Sequence, residues 1–356
     1  MTPYTTLPDK AFWRKAIADK AIFDINGLWL PKAVVGKQDP VVTYGSCFAQ
    51  YIGKTLKERG FNRLVTEFGP AHFPNDVAAQ HQYGVFSART GNIYTTSLLE
   101  QWLQWALDES SVPDEYWQNS DRYFDPFRPA IEPGGFVSVE EMRLSRLSAI
   151  RCFKKSIIKA KFFVFTLGLT ESWFNKEHGY EYPMCPGTVA GEFAEDKHQF
   201  VNQEITQVRT KLFSALQKIR NLNKNIRVIL TVSPVPLTAT ASGEHVLVAS
   251  VYSKSVLRAA AGIISQNHEW VDYFPSYEII NSAPFGGIFF EPNKRNVNAF
   301  GVSFVMDAFF NAMYPDAGYT SASGKAPIAS QHPKKQQNRQ DEICEEALLD
   351  AFGGKK

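Results

Sequence analysis

The residues best placed to do chemistry sit in one stretch, Val41-Val42-Thr43-Tyr44-Gly45-Ser46-Cys47-Phe48-Ala49. Its apolar half reads as a strand, Gly45-Ser46-Cys47 as a tight turn, and a helix is expected to begin near Ala49. Such a junction presents a nucleophilic side chain to substrate, with backbone N–H groups beside it to hold a developing oxyanion. Two nucleophiles compete for the role. A thiol at a helix N-terminus ionises readily and is intrinsically more reactive than a hydroxyl, which favours Cys47. In the other reading Cys47 is a small buried residue behind the turn and Ser46 is the working hydroxyl or a helix N-cap.

The elements that must position this turn alternate between short β-branched runs and longer amphipathic ones, the pattern of an α/β sheet covered by helices. Residues 41–44, Phe162–Leu167 and Arg227–Val232 are near-continuous apolar runs, as expected of buried parallel strands. Helices are expected over residues 49–59, 201–221 and 252–265. Each strand candidate runs into a polar turn marked by glycine or proline: Gly45-Ser46-Cys47, then Gly168-Leu169-Thr170-Glu171-Ser172-Trp173, then Ser233-Pro234-Val235-Pro236. Open α/β sheets place their ligands at that edge.

Between the first two core strands lies a long insertion, about residues 68–135, rich in aromatic residues that include Trp102, Trp105, Tyr116, Trp117 and Phe124. It reads as a helical cap or lid, or else as the core of an aromatic subdomain. Residues 1–40 form an N-terminal extension, and residues 41–315 the main domain. From residue 316 the composition turns to Ser, Lys, Gln and Pro, so residues 316–356 are expected to be disordered apart from a short helix near 341–352.

Composition narrows the function classes. The chain has 356 residues, 44% hydrophobic and 21% charged, a globular profile with room for a sizeable core. A formal net charge of +2 gives no steer toward nucleic acid or anionic membrane. No run reads as a bilayer span and the first residues lack the pattern of a signal peptide, so a cytoplasmic location is expected. Cys47, Cys152, Cys185 and Cys344 are scattered without metal-ligand spacing, which points to reduced thiols rather than a zinc site or disulfide framework. Neither a metal nor a cofactor is expected, because no phosphate-binding glycine fingerprint appears. The expected partner is a small-molecule or carbohydrate substrate.

Gly45-Ser46-Cys47-Phe48-Ala49 resembles the name-giving signature of the GSCFA family. The resemblance continues through residues 165–173, 231–237, 252–258 and 273–280, and so covers about residues 41–310. That family is similar to the SGNH or GDSL-type hydrolases. The resemblance therefore implies a three-layer α/β/α fold with a mostly parallel sheet, and acyl-ester hydrolysis or acyl transfer, often on carbohydrates. It also implies that the nucleophile stands two places after the strand-ending glycine, which here is Cys47, with Ser46 in the place usually held by aspartate. Gly168 and Thr170 match the block that supplies an oxyanion donor, with threonine where asparagine is usual. Asn75 is a second amide for the oxyanion, or a turn residue after Pro74. Glu171 could orient a base, act as a general acid or base, or favour a helix start.

The base is where the pattern departs. The superfamily carries an aspartate and, three residues later, a histidine before its last helix; Asn293 and Asn296 stand there instead. Asparagine cannot accept and return a proton at neutral pH, so the usual relay is absent from that loop. Candidates for a displaced base are His245, which follows the third strand end by a short loop, and also His198 and His72. Lys254 is a further candidate if buried, and otherwise a lysine of the helix surface. With no base at all, the chain would be a catalytically inactive carbohydrate- or ligand-binding module.

Overall fold

The computed structural model describes residues 2–315 and 348–353. In chain order the strands and helices are β1 (Val41–Gly45), α1 (Phe48–Glu58), α2 (Asn75–Gln80), α3 (Thr96–Leu107), β2 (Trp117–Asn119), β3 (Arg122–Phe124), α4 (Val139–Lys159), β4 (Phe162–Leu167), β5 (Glu171–Asn175), β6 (Glu181–Tyr182), β7 (His198–Asn202), α5 (Ile205–Leu222), β8 (Arg227–Val232), α6 (Val246–Asn267), β9 (Val271–Tyr273), α7 (Ser276–Asn281), α8 (Ala299–Met313) and α9 (Asp350–Gly353). The chain divides into two compact units, one made of residues 2–35 and 274–315, the other of residues 36–273 with the described end of the chain. The cuts fall after Val35 and Tyr273.

The larger unit is built on a parallel sheet in the order β1-β4-β8-β9. Its first three strands are buried on both faces, which is why each reads as an unbroken apolar run. Each fully buried Val, Leu, Ile or Phe contributes roughly 1.5–3 kcal/mol relative to exposure. α1 packs on β1 and β4. From α1 the chain returns to the outer edge of β1, where Leu64 N–H donates to the Val41 carbonyl (2.8 Å). α4, α5 and α6 precede β4, β8 and β9, and α5 packs against both of the others. Right-handed crossovers place these three helices on one face and α1 on the other, giving the α/β/α layering.

α6 is the helix that links β8 to β9. Among the described residues it is the one helix long and apolar enough to cross a membrane, but 56% of its apolar window is buried within the chain. Its apolar character therefore follows from covering β8 and β9.

Trp102 and Trp105 of α3 are buried, and their rings meet Phe153 of α4 and Phe127. The tryptophans of this stretch are thus core residues under the helical layer. Charge also lies beneath them. Asp125 is fully buried and accepts from Arg128 Nε (2.7 Å), Arg146 Nε (3.0 Å) and the Phe127 N–H (3.1 Å). Burial alone would raise its pKa; Arg146 and Arg128 outweigh that and hold it below the usual range. Four further guanidinium bonds go to the carbonyls of Arg89, Pro113 and Glu115 and to the Ser145 hydroxyl, tying these loops to α4.

Immediately after β4 the chain forms a three-stranded antiparallel sheet, β6-β5-β7, which the sequence reading passed over; it placed a helix from residue 201, where β7 runs to Asn202. The smaller unit is an aromatic cluster. Trp29 lies 5.0 Å from Phe274 and 5.3 Å from Phe309, Phe289 stacks on Phe304, and the Tyr314 hydroxyl donates to the Val35 carbonyl.

Candidate active site

β1, β4 and β8 end at the same level. Gly45 pairs with Thr166 and Leu167 with Val232, and the ladder runs one residue further as Ser46 N–H donates to the Thr166 carbonyl (3.0 Å) and Ser233 N–H to that of Leu167 (2.8 Å). The three turns that follow these strands are thereby set along one edge. Gly45 has φ +127°, and a Cβ there would lie 2.3 Å from the Thr166 carbonyl oxygen. Only glycine fits, on grounds of both conformation and space. The kink delivers Ser46 and Cys47 directly to the N-terminus of α1, whose first bonds run from Ala49 N–H to the Ser46 carbonyl (2.9 Å) and from Gln50 N–H to the Cys47 carbonyl (3.0 Å). Cys47 is already helical in conformation and 8% exposed, Ser46 is 2% exposed, and the Ser46 hydroxyl is buried without a hydrogen-bond partner among the described residues.

Gly168 closes the turn from the neighbouring strand, since a Cβ on it would stand 3.2 Å from Ser46 Cβ. Its N–H and that of Leu169 both donate to the Tyr94 carbonyl (2.9 and 3.2 Å). Thr170 is fully buried; its N–H donates to Ser253 Oγ (3.0 Å) and its hydroxyl to Asn202 Oδ1 (2.7 Å). The Gly168 amide and the Thr170 hydroxyl, both expected to face an oxyanion, are thus engaged in holding the loop. Glu171 begins β5 rather than a helix, and its carboxylate accepts from the Thr240 hydroxyl and the Ala241 N–H.

The base candidates separate sharply. Lys254 is 4% exposed, and its Nζ donates to the Gly168 carbonyl at 2.6 Å. His245 is exposed and caps α6, its Nδ1 accepting from Leu247 N–H (3.2 Å). Nine residues of helix separate the two, about 13 Å at 1.5 Å per residue. His198 is buried between Tyr182 and Phe193, with Nδ1 accepting from Ala194 N–H; burial lowers its pKa. His72 is exposed, as is Asn75, which opens the short helix α2. Asn293 lies in an exposed turn of the smaller unit, where its Oδ1 accepts from the N–H groups of Arg295 and Asn296 (3.0 Å each). The cap of α8 is neither of these but Asn298, which accepts from Gly301 N–H.

Asn92 is a neighbour of the turn that the strand-end motifs did not reveal. It is 1% exposed, accepts from Gln50 Nε2 of α1 (3.4 Å), and precedes Ile93, whose N–H donates to the Gly45 carbonyl (2.9 Å). The signal available in the sequence was the Gly91-Asn92 step, a polar interruption ahead of Ile93-Tyr94. A cleft of about 680 Å³ also opens in this unit between α3, α5 and the antiparallel sheet, but neither Ser46 nor Cys47 lines it. No group of three or more His, Cys, Asp or Glu suited to a metal ion occurs among the described residues.

No curated protein and no solved structure matches the chain. The GSCFA family, by contrast, matches over residues 40–309, a span that includes the Gly45 turn, Gly168 and Lys254. With three quarters of its length so matched, the chain belongs to the GSCFA family.

Proposed function

We propose that the protein is an acyl-ester hydrolase or acyltransferase of the SGNH kind, acting on a carbohydrate-like or other polar substrate at the Gly45 turn. Cys47 is the nucleophile in this reading, because it occupies the N-terminal position of α1 and is the more accessible of the adjacent pair. Lys254 is the base that the Asn293 and Asn296 turn lacks. The observation that carries the reading is its burial against Gly168, the residue that also abuts Ser46. Lys254 would take the Cys47 proton; the thiolate would attack the ester carbonyl and expel the alcohol, protonated by Lys254, to leave a thioester. Water or an acceptor hydroxyl, deprotonated by Lys254, would then attack the thioester, giving the acid or a new ester and returning the thiolate. The Ser46 hydroxyl, adjacent in sequence and unpartnered among the described residues, is a side-chain donor for the acyl oxygen.

A second reading, an inactive carbohydrate- or ligand-binding module, draws on the engaged state of the Gly168 amide and the Thr170 hydroxyl. Mass spectrometry after iodoacetamide and, separately, a fluorophosphonate decides between them, comparing wild type with Cys47→Ala and Ser46→Ala. Cys152 and Cys185 give little background, since burial pushes both thiols up, that of Cys185 to about 11. Fast, pH-dependent labelling at Cys47 or Ser46 together with ester turnover supports the enzyme. Slow labelling and no turnover sink it.

A further inference from the structure

The cleft between α3, α5 and the antiparallel sheet is separate from the chemistry at the Gly45 turn and needs its own account. Its floor is polar. Glu181 is 1% exposed and accepts from the hydroxyls of Thr95 and Ser97, while both ends of the Gln101 amide are bonded to the Glu181 backbone. Gln203, 3% exposed, donates to Ser97 Oγ (2.7 Å) and Ser172 Oγ (2.9 Å). This floor is a network with its shape fixed before any ligand arrives.

The charged groups of the wall are already answered from within. Glu100 sits between Lys211 (2.9 Å) and Lys218 (2.9 Å) and also accepts from Ser214. Burial would raise its pKa, but these three partners outweigh it and bring it to about 2. Lys176 turns its ammonium to the Glu195 carbonyl. Lys211 and Lys218 thus share Glu100, and each ammonium of the wall already has a partner within the chain.

What remains uncommitted is neutral. Gln104 of α3 and Gln199 of β7 are exposed, with no partner for their amides among the described residues. Among the described residues, Phe174 is half-buried with no aromatic neighbour, and the indole N–H of Trp105, a residue 2% exposed, makes no hydrogen bond. Amides that both donate and accept, an indole donor and an open aromatic ring complement hydroxyl groups and the apolar face of a sugar ring. The volume is within the roughly 300–1,000 Å³ of small-molecule sites.

We propose that the cleft between α3, α5 and the β6-β5-β7 sheet binds a neutral, polyhydroxylated ligand, a short glycan segment, held by Gln104, Gln199, Phe174 and Trp105. It does so whether or not the Gly45 turn is catalytic.

The test uses the full chain with cellotetraose, maltotetraose and chitotetraose as probes, read by calorimetry and by saturation-transfer NMR at neutral pH. At least one probe is expected to bind saturably. Phe174→Ala, and separately the exposed pair Gln104→Ala with Gln199→Ala, should each weaken that binding about tenfold or more. Cys47→Ala should leave it unchanged, which separates this site from the acyl chemistry. The Gln pair lies on the surface, so its effect is readable even if Phe174→Ala lowers stability. The proposal is overturned if none of the three probes binds at millimolar concentration. It is equally overturned if binding survives the Gln pair undiminished, or if Cys47→Ala abolishes it.

Discussion

Lys254 Nζ donates to the carbonyl of Gly168 at 2.6 Å, from a side chain that is almost completely buried. Its helix neighbours show why it is there. Ser250 Oγ accepts from Leu237 N–H (3.1 Å) and Ser253 Oγ from Thr170 N–H (3.0 Å), so α6 braces the turns after both β4 and β8. The lysine lies on the same helix as both serines, one residue beyond Ser253.

Lys254→Met should therefore lower ester turnover by about 10²–10⁴-fold while the protein stays folded, the range lost with a general base. Lys254→Arg should not restore activity, because a guanidinium does not give up its proton. Rates across pH 6–10, with melting curves for each variant, check this. Full activity in the arginine variant would show that the position needs only a donor to Gly168.

Gly45→Ala should destabilise the larger unit by about 3 kcal/mol or more. The alanine would have to hold a positive φ and place its Cβ on the backbone of β4. Urea unfolding measures the loss. A shift under about 0.5 kcal/mol would mean that the strand end is free to move.

Glu181 makes stability depend on pH in an uncommon direction. Burial raises its pKa from 4.5 to about 7, against the pull of the Ser97 and Thr95 hydroxyls and of Lys211. The folded chain then holds a proton that the unfolded chain has released between these values. The contribution is complete below about pH 4.5 and is lost as pH rises through about 7, by roughly 3 kcal/mol at most. Glu181→Gln, neutral at every pH, should gain stability over wild type at pH 8 and little at pH 4.5. Denaturant curves for both proteins at the two values decide it; an equal difference at both would refute the assignment.

Asp125→Ala should cost about 3–5 kcal/mol, since it leaves two buried guanidiniums without their shared carboxylate. The same curves at pH 7 report it. A loss below 1 kcal/mol would mean that water reaches Arg128 and Arg146.

The sheet and its edge were legible because buried parallel strands print themselves as apolar runs, and Phe162–Leu167 and Arg227–Val232 came out with their observed bounds. Gly45 announced its turn for the same local reason. The antiparallel sheet did not show, since β5 is only half-buried and β6 is two residues long, too short for an alternating pattern. Lys254 could not be told from a surface lysine because its burial depends on where α6 lands, a matter of tertiary packing. His245 follows the third strand end by a short loop, and the structure shows it as the cap of α6, about 13 Å of helical rise before Lys254. The tryptophans of α3 could serve equally in a lid or a core until Phe127 and Phe153 were seen beside them.

The pairing of Trp29 with Phe309 bears on the order in which the molecule is made. A ribosome adding roughly 5–20 residues per second needs on the order of tens of seconds to pass from one to the other. All of β1 to β9 emerges in that interval. Phe23 and Trp29 must wait through it for Phe300, Phe304 and Phe309, not yet synthesised. Nascent chains stalled before α8 should therefore recruit holdase chaperones to the first thirty-five residues, long after the sheet has closed.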